Sequence, residues 1–232
     1  ISTRDWSSDV CSSDLVRQAW LERFGIEIYE GYGATETAPV LAVNYPGRHR
    51  PGTVGQLLPG IEARLFPVEG IERGGELHVR GPNLMSGYYR FDSPALLEPP
   101  SSDAGQGWHD TGDVAELDGD GYLSILGRLK RFAKVAGEMV SLEVVESIAR
   151  AASAEAGHAA TTISDPARGE AIVLFTTDAG LTRDQLAATA KKLGLPEIAL
   201  PRRIQVIDEL PALGTGKIDY PRLKEVAAAQ TA

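Results

Sequence analysis

The spacing of apolar positions divides the chain into three kinds of stretch. Near the start, Leu15, Val16, Ala19, Trp20 and Phe24 recur at helical spacing, with Asp14 as a cap and Gly25 as a stop, which predicts a helix. Ile26 and Ile28 flank Glu27 and predict a short strand running into a glycine-rich loop at Gly31–Gly33. Ligands of open α/β sheets sit beyond such strand ends. From Gly52 to Gly127 the period changes to two. Ile61, Ala63 and Leu65 alternate with polar residues, as do Leu77 and Val79. Val114 to Leu117 and Tyr122 to Leu126 flank Asp118-Gly119-Asp120-Gly121, a hairpin turn signal. Short alternating strands with tight turns predict a small β-barrel or sandwich. Ser93 to Gly107, with three prolines, predicts an exposed loop.

After Gly127 strand and helix patterns alternate. Phe132–Val135 reads as a strand, and Ser141 caps a helix carrying Leu142, Val145, Ile148, Ala149 and Ala152. Ala171–Thr176 is a continuous apolar strand. Thr182 and Gln185 form a capping box for a helix that stops near Gly194. Ile204 and Val206 mark a further strand, and Asp219 with Pro221 starts a terminal helix. This is the pattern of a compact α+β lobe.

Charge sharpens the division. The net charge is −9, and residues 1–127 carry 9 basic against 19 acidic groups, whereas 128–232 are nearly balanced at +1. The shift supports a boundary at Gly127-Arg128, with domains at 16–127 and 128–232. The acidic balance argues against a nucleic-acid binder. No apolar run reaches the ~18–20 residues of a membrane helix. Cys11 is the sole cysteine, which excludes an intrachain disulfide. Residues 1–15 lack the basic and apolar regions of a signal peptide and read as a non-native leader.

Four short motifs carry the candidate chemistry: Glu30-Gly31-Tyr32-Gly33-Ala34-Thr35-Glu36-Thr37, Trp108-His109-Asp110-Thr111-Gly112-Asp113, Gly127-Arg128-Leu129-Lys130, and Gly214-Thr215-Gly216-Lys217. Glycines beside Tyr32 let backbone approach a flat ligand while the ring stacks on it. The Thr35 hydroxyl suits a phosphate oxygen, and the Glu36 carboxylate suits Mg2+. Asp113 can accept two hydrogen bonds, as a ribose diol requires. Arg128 is a fixed planar donor. Lys217 is a point charge on a glycine-rich loop. Taken singly, the same residues fit a glycine-rich turn, a turn Asp, a solvated basic linker and an exposed loop lysine. No cluster of histidines has metal-ligand spacing, and His109 has no catalytic demand on it.

In order and spacing, these motifs resemble the adenylate-forming (AMP-binding) superfamily, from about Val16 to the C-terminus. The resemblance implies an α/β and α+β fold: part of a large adenylating domain, with a sheet remnant and a small β-barrel, followed by a mobile α+β lobe. The Ser/Thr/Gly-rich phosphate-binding loop that precedes these motifs in the family is not in the sequence, so the chain looks like the back half of an enzyme. The implied roles are an adenine contact for Tyr32 between Gly31 and Gly33, phosphate for Thr35, metal for Glu36 and ribose for Asp113 and Arg128. Lys130 falls at the family's hinge, Lys217 at its adenylation lysine, and Lys134 on the face used for thioester formation. Phe132 to Glu143, Glu170 to Thr177 and Pro211 to Lys217 are more specific. They resemble the synthetase part of the bacterial bifunctional 2-acylglycerophosphoethanolamine acyltransferase/acyl-[acyl-carrier-protein] synthetases. That implies a fatty acid substrate, ATP and Mg2+, acyl carrier protein as acceptor, a lysophospholipid served by an upstream domain, and an inner-membrane setting. Arg131, Arg202 and Arg203 are the candidate carrier-docking cations, with solvated surface arginines as the alternative. An acyl-CoA ligase and an inactive docking remnant are the other functional readings.

Overall fold

The computed structural model describes residues 10–229, with side chains from residue 16 onward. The expected leader lies outside the described residues up to position 9, and none of its side chains is described. The chain divides into two compact units, with the boundary in sequence between Lys130 and Arg131.

The first unit opens with α1 (Val10–Phe24), so Asp14 lies inside the helix instead of capping it. Gly25 leaves it in the left-handed region, at φ 64°. Ile26 and Ile28 form no strand: among the described residues no neighbour pairs with this segment, and a lone extended run has no ladder to hold it. The glycine-rich segment is itself a strand, β1 (Gly31–Gly33), paired antiparallel with β2 (Val40–Val43), which pairs with β3 (Gln56–Leu57). Then follow β4 (Glu62–Phe66), β5 (Gly75–Arg80), β6 (Tyr88–Arg90), β7 (Ser93–Glu98), β8 (Ser101–Ser102), β9 (Gly105–Gln106), β10 (His109–Leu117) and β11 (Leu123–Arg128). The predicted loop at 93–107 is two exposed ribbons, β6-β7 and β8-β9, whose prolines sit near strand ends where a missing N–H costs little.

The main sheet has the order β11-β10-β5-β4 and stays open, so the predicted barrel is corrected. Closure would require the first and last strands to pair, which four strands do not reach here. Val54 donates to the Leu123 carbonyl and Leu123 to that of Gly55, both at 2.8 Å, which ties the small sheet to β11. Tyr32, Leu41, Ala42, Leu77, Val79, Ala115 and Leu123 make the buried core between them.

In the second unit, β12 (Phe132–Val135), β13 (Glu138–Ser141), β14 (His158–Asp165), β15 (Gly169–Thr176) and β16 (Arg203–Val206) form one sheet, with β16 parallel to β15. Around it lie α2 (Leu142–Ala152), α3 (Arg183–Leu193) and α4 (Tyr220–Ala229). The apolar run in β15 has a direct cause. Ile172 and Leu174 join the α2–α3 side of the core, while Val173 and Phe175 join Leu223 and Ala227 of α4. A strand covered on both faces needs apolar residues at every position. The Thr182–Gln185 capping box forms, and Gly194 ends α3 in the left-handed conformation. Ser141 precedes α2 but gives no side-chain cap.

The three candidate docking arginines are engaged inside this unit. Arg131 is 15% exposed at its side chain and pairs with Glu146 at 2.6 Å. It also donates to the Ala160 carbonyl at 2.8 Å and lies 3.7 Å over the Tyr220 ring. Arg202 binds the buried Asp165, and Arg203 donates to the Ala227 carbonyl at 3.1 Å. Arg131 is therefore held inside the unit, and the solvated alternative fails for it as well, whereas Arg202 stays largely exposed beside Asp165. Among the described residues, no helix is long and apolar enough to cross a membrane.

Candidate active site

The site in the first unit is built on an irregularity of β10. Against β5, Asp110 stands opposite His78 and Val114 opposite Glu76, so Thr111, Gly112 and Asp113 share the space facing Leu77. Such a bulge bends the strand and re-aims its side chains. Gly112 takes the left-handed conformation it requires, at φ 66°. The Thr111 hydroxyl pins it by donating to the Leu77 carbonyl at 2.8 Å, and the Gly112 amide donates to Asp110 Oδ1 at 2.8 Å.

Asp113 is the product of that bulge. Its side chain is 3% exposed, and it lies opposite Arg128 of β11 in the ladder. Arg128 Nε is 3.0 Å from Oδ1, and the Tyr32 hydroxyl donates to Oδ2. Burial, followed by the Asp113 charge, pushes the Tyr32 hydroxyl well above its ordinary range, so it remains a donor. The Tyr32 ring belongs to the buried core, and its polar end reaches the site through Asp113.

Gly31 and Gly33 permit the backbone to pass this closely. A Cβ on Gly33 would lie 1.6 Å from the Pro39 carbonyl oxygen. The following turn, Thr35–Thr37, is held by Thr37, whose hydroxyl accepts from the Ala34 amide at 3.0 Å and lies 2.9 Å from the Ala34 carbonyl. Asn83 Nδ2 donates to the Val40 carbonyl at 2.9 Å, and the Met85 amide to that of Glu36 at 2.8 Å. Thr35 is exposed on the turn. Glu36 faces a cavity of about 350 Å³ whose walls include Tyr88, His109, Asp113, Arg128 and Lys130. The Tyr88 hydroxyl donates to Glu36 Oε1 at 2.8 Å. Burial opposes the charge on Glu36, but its own backbone amide, the Tyr88 hydroxyl and the nearby His109 and Arg128 outweigh burial and lower its pKa. The Tyr88 hydroxyl is pushed up to about 12, by burial and then by Glu36. Burial also lowers the pKa of His109.

The structure thus brings Glu36, Asp113, Arg128 and Lys130 to one cavity, with Tyr32 behind Asp113. Tyr88 and the half-buried His109 are wall residues without an assigned role in the sequence reading. Lys134 and Lys217 belong to the second unit. Lys134 is exposed on β12, beside a groove lined by Gly137, Arg168 and Glu170. Lys217 is exposed in a loop closed by the Leu213 amide donating to the Lys217 carbonyl at 2.7 Å, with Gly216 at φ 82°.

Comparison with known proteins agrees with this geometry at the level of class. The family model for AMP-binding enzymes matches residues 7–89, and together with the structural neighbours it supports the AMP-binding, adenylate-forming superfamily for this chain. The long-chain-fatty-acid–CoA ligase of Salmonella typhimurium is 32% identical over 92% of the chain, and the 3-hydroxybenzoate–CoA ligase of an Aromatoleum species is 30% identical over 93%. The chain spans 38% and 42% of those two relatives. The ATP-bound crystal structure of MatB from Rhodopseudomonas palustris superimposes with a TM-score of 0.72 at 27% identity, over 93% of this chain and 44% of that one. The curated relatives are named as CoA ligases, so the carrier-protein acceptor and the linked lysophospholipid acylation find no support among them.

Proposed function

We propose that this chain serves an AMP-forming acid–thiol ligase that takes a fatty or aryl carboxylic acid, ATP and CoA. The observation that carries this reading is the Asp113–Arg128 pair, backed by Tyr32, on one wall of a cavity that also holds Glu36. Asp113, oriented on both oxygens before any ligand arrives, accepts the ribose hydroxyls, and Arg128 adds a fixed donor beside it. Tyr32 has little free ring surface, so its part is to hold Asp113. Thr35 offers its hydroxyl to a phosphate oxygen from the exposed turn. The close backbone path through Gly31 and Gly33 sets that turn.

The donor set also fits magnesium. Glu36 offers a hard, ionised oxygen at the cavity wall, the type of ligand that ion prefers alongside phosphates and water. When bound, the ion would neutralise phosphate charge. In the first half-reaction an oxygen of the acid carboxylate bonds to the α-phosphorus, and pyrophosphate leaves. In the second, the CoA thiolate attacks the acyl carbon and AMP leaves. We assign Lys217 to the charge at the α-phosphate, Lys134 to the thioester step, and Lys130 to the hinge between them.

The test compares acceptors in the complete gene product. AMP release should require both a carboxylic acid and CoA, with fatty and aryl acids in the panel. Turnover with holo-acyl carrier protein and none with CoA would overturn the CoA reading.

A further inference from the structure

The β5–β10 ladder places together three ligand-type side chains that have no role in the nucleotide chemistry just described, although two of them share its cavity wall. Glu76 and His78 are two residues apart on β5 and project to the same face, because strand side chains alternate. Asp110 stands directly opposite His78 on β10, and residues paired in this way share a face. We propose that Glu76, His78 and Asp110 bind a divalent transition-metal ion of the zinc class.

The central observation is His78. Its side chain is 3% exposed, and Phe66 packs against its ring at a centroid distance of 4.5 Å. Nδ1 lies 2.8 Å from the Ser102 hydroxyl. Nε2 is buried and has no hydrogen-bond partner. It sits 3.7 Å from Glu76 Oε2 and 3.8 Å from Asp110 Oδ1, too far for a good hydrogen bond to either. A buried polar atom left in this state is costly. In the tautomer in which Nδ1–H donates to Ser102, Nε2 presents a lone pair into the space between the carboxylates, and an outer-shell bond of that kind orients most metal-ligating histidines. Asp110 is oriented as well, since its Oδ1 accepts from the Gly112 amide at 2.8 Å.

The dimensions fit. The three ligand atoms lie within 4.8 Å of one another. Four-coordinate zinc with bonds of about 2.0–2.2 Å separates its ligands by about 3.3 Å, so modest rotation of the partly exposed Glu76 and Asp110 completes the shell. One imidazole and two carboxylates favour zinc, cobalt or manganese over magnesium, which rarely takes a nitrogen ligand. Glu76 and Asp110 are also part of the cavity wall, so solvent can reach the group. The ion would clip β5 to β10 immediately before the bulge that aims Asp113.

Cobalt(II), a spectroscopic stand-in for zinc, tests this directly on the metal-free full chain. Titration should give one ion per chain, with visible d–d bands of a low-coordinate nitrogen–oxygen site, displaced by zinc but not by millimolar magnesium. His78→Gln should abolish the bands. Asp110→Asn, a change at a partly exposed side chain that leaves the core intact, should weaken cobalt binding about tenfold or more. Glu76→Gln should act likewise. Absence of stoichiometric binding would overturn the proposal and leave His78 as a buried partner of two carboxylates. Binding unchanged by Asp110→Asn and Glu76→Gln would overturn it too, since the ion would then lie elsewhere.

Discussion

At the scale of single residues, the site depends on backbone proximity as much as on side-chain chemistry. Gly33 has no positive φ, yet its missing Cβ is essential: a methyl group there would meet the Pro39 carbonyl oxygen at 1.6 Å and the carbonyl carbon at 2.6 Å. Those atoms are backbone and cannot swing aside. Gly33→Ala should therefore cost about 1–3 kcal/mol of stability, as overpacking typically does, and displace the turn that carries Glu36. Urea unfolding of the variant checks it, and a midpoint equal to that of the parent would contradict this view of the turn. The identities of Asp113, Arg128 and Glu36 as candidates were legible from motif order. Their mutual support was not: the Tyr32–Asp113 hydrogen bond spans a gap of 81 residues, and nothing local encodes it. The grouping of Glu76, His78 and Asp110 was hidden for the same reason. It follows from strand register, and one residue of slip would send them to opposite faces.

At the scale of elements, some local signals were read well, while the Asp14 and Ser141 caps were not. The α3 box is an example of the former: the Gln185 amide donates to the Thr182 hydroxyl at 3.3 Å, and Gln185 Oε1 accepts from the Thr182 amide at 2.8 Å. Thr182→Ala should lower stability by about 0.5–2 kcal/mol, measured by denaturant unfolding, because it exposes an orphan amide at the helix start. An unchanged midpoint would mean that packing of Leu186 and Ala190 alone fixes the helix. The elements misread in the sequence depend on partners. Ile26 and Ile28 have strand character but no neighbour to pair with among the described residues. Residues 93–107 have loop composition yet pair into ribbons. The open sheet looked like a barrel because alternation reports burial on one face, and says nothing about whether the end strands meet.

At the scale of the whole molecule, the two compact units divide the candidate residues: Glu36, Asp113 and Arg128 lie before the boundary, Lys134 and Lys217 after it. The change in charge along the chain pointed toward this division. It misled about the arginines, because a count of basic residues does not reveal that Arg131 is committed to Glu146 and Tyr220 or Arg202 to Asp165. Arg131 is thereby removed as a docking cation, and carrier recognition finds no support among relatives named as CoA ligases. What remains central is the proposal that Asp113, held by Tyr32 and Arg128, receives a nucleotide. The most direct measurement is calorimetric titration of AMP into the purified chain and into Asp113→Asn, a change that keeps shape while removing the charge. One saturable site is expected for the parent. The variant should bind about tenfold more weakly or worse, since hydrogen bonds to a charged group contribute about 1.5–3 kcal/mol. No binding by the parent, or equal affinity in both proteins, would contradict the account.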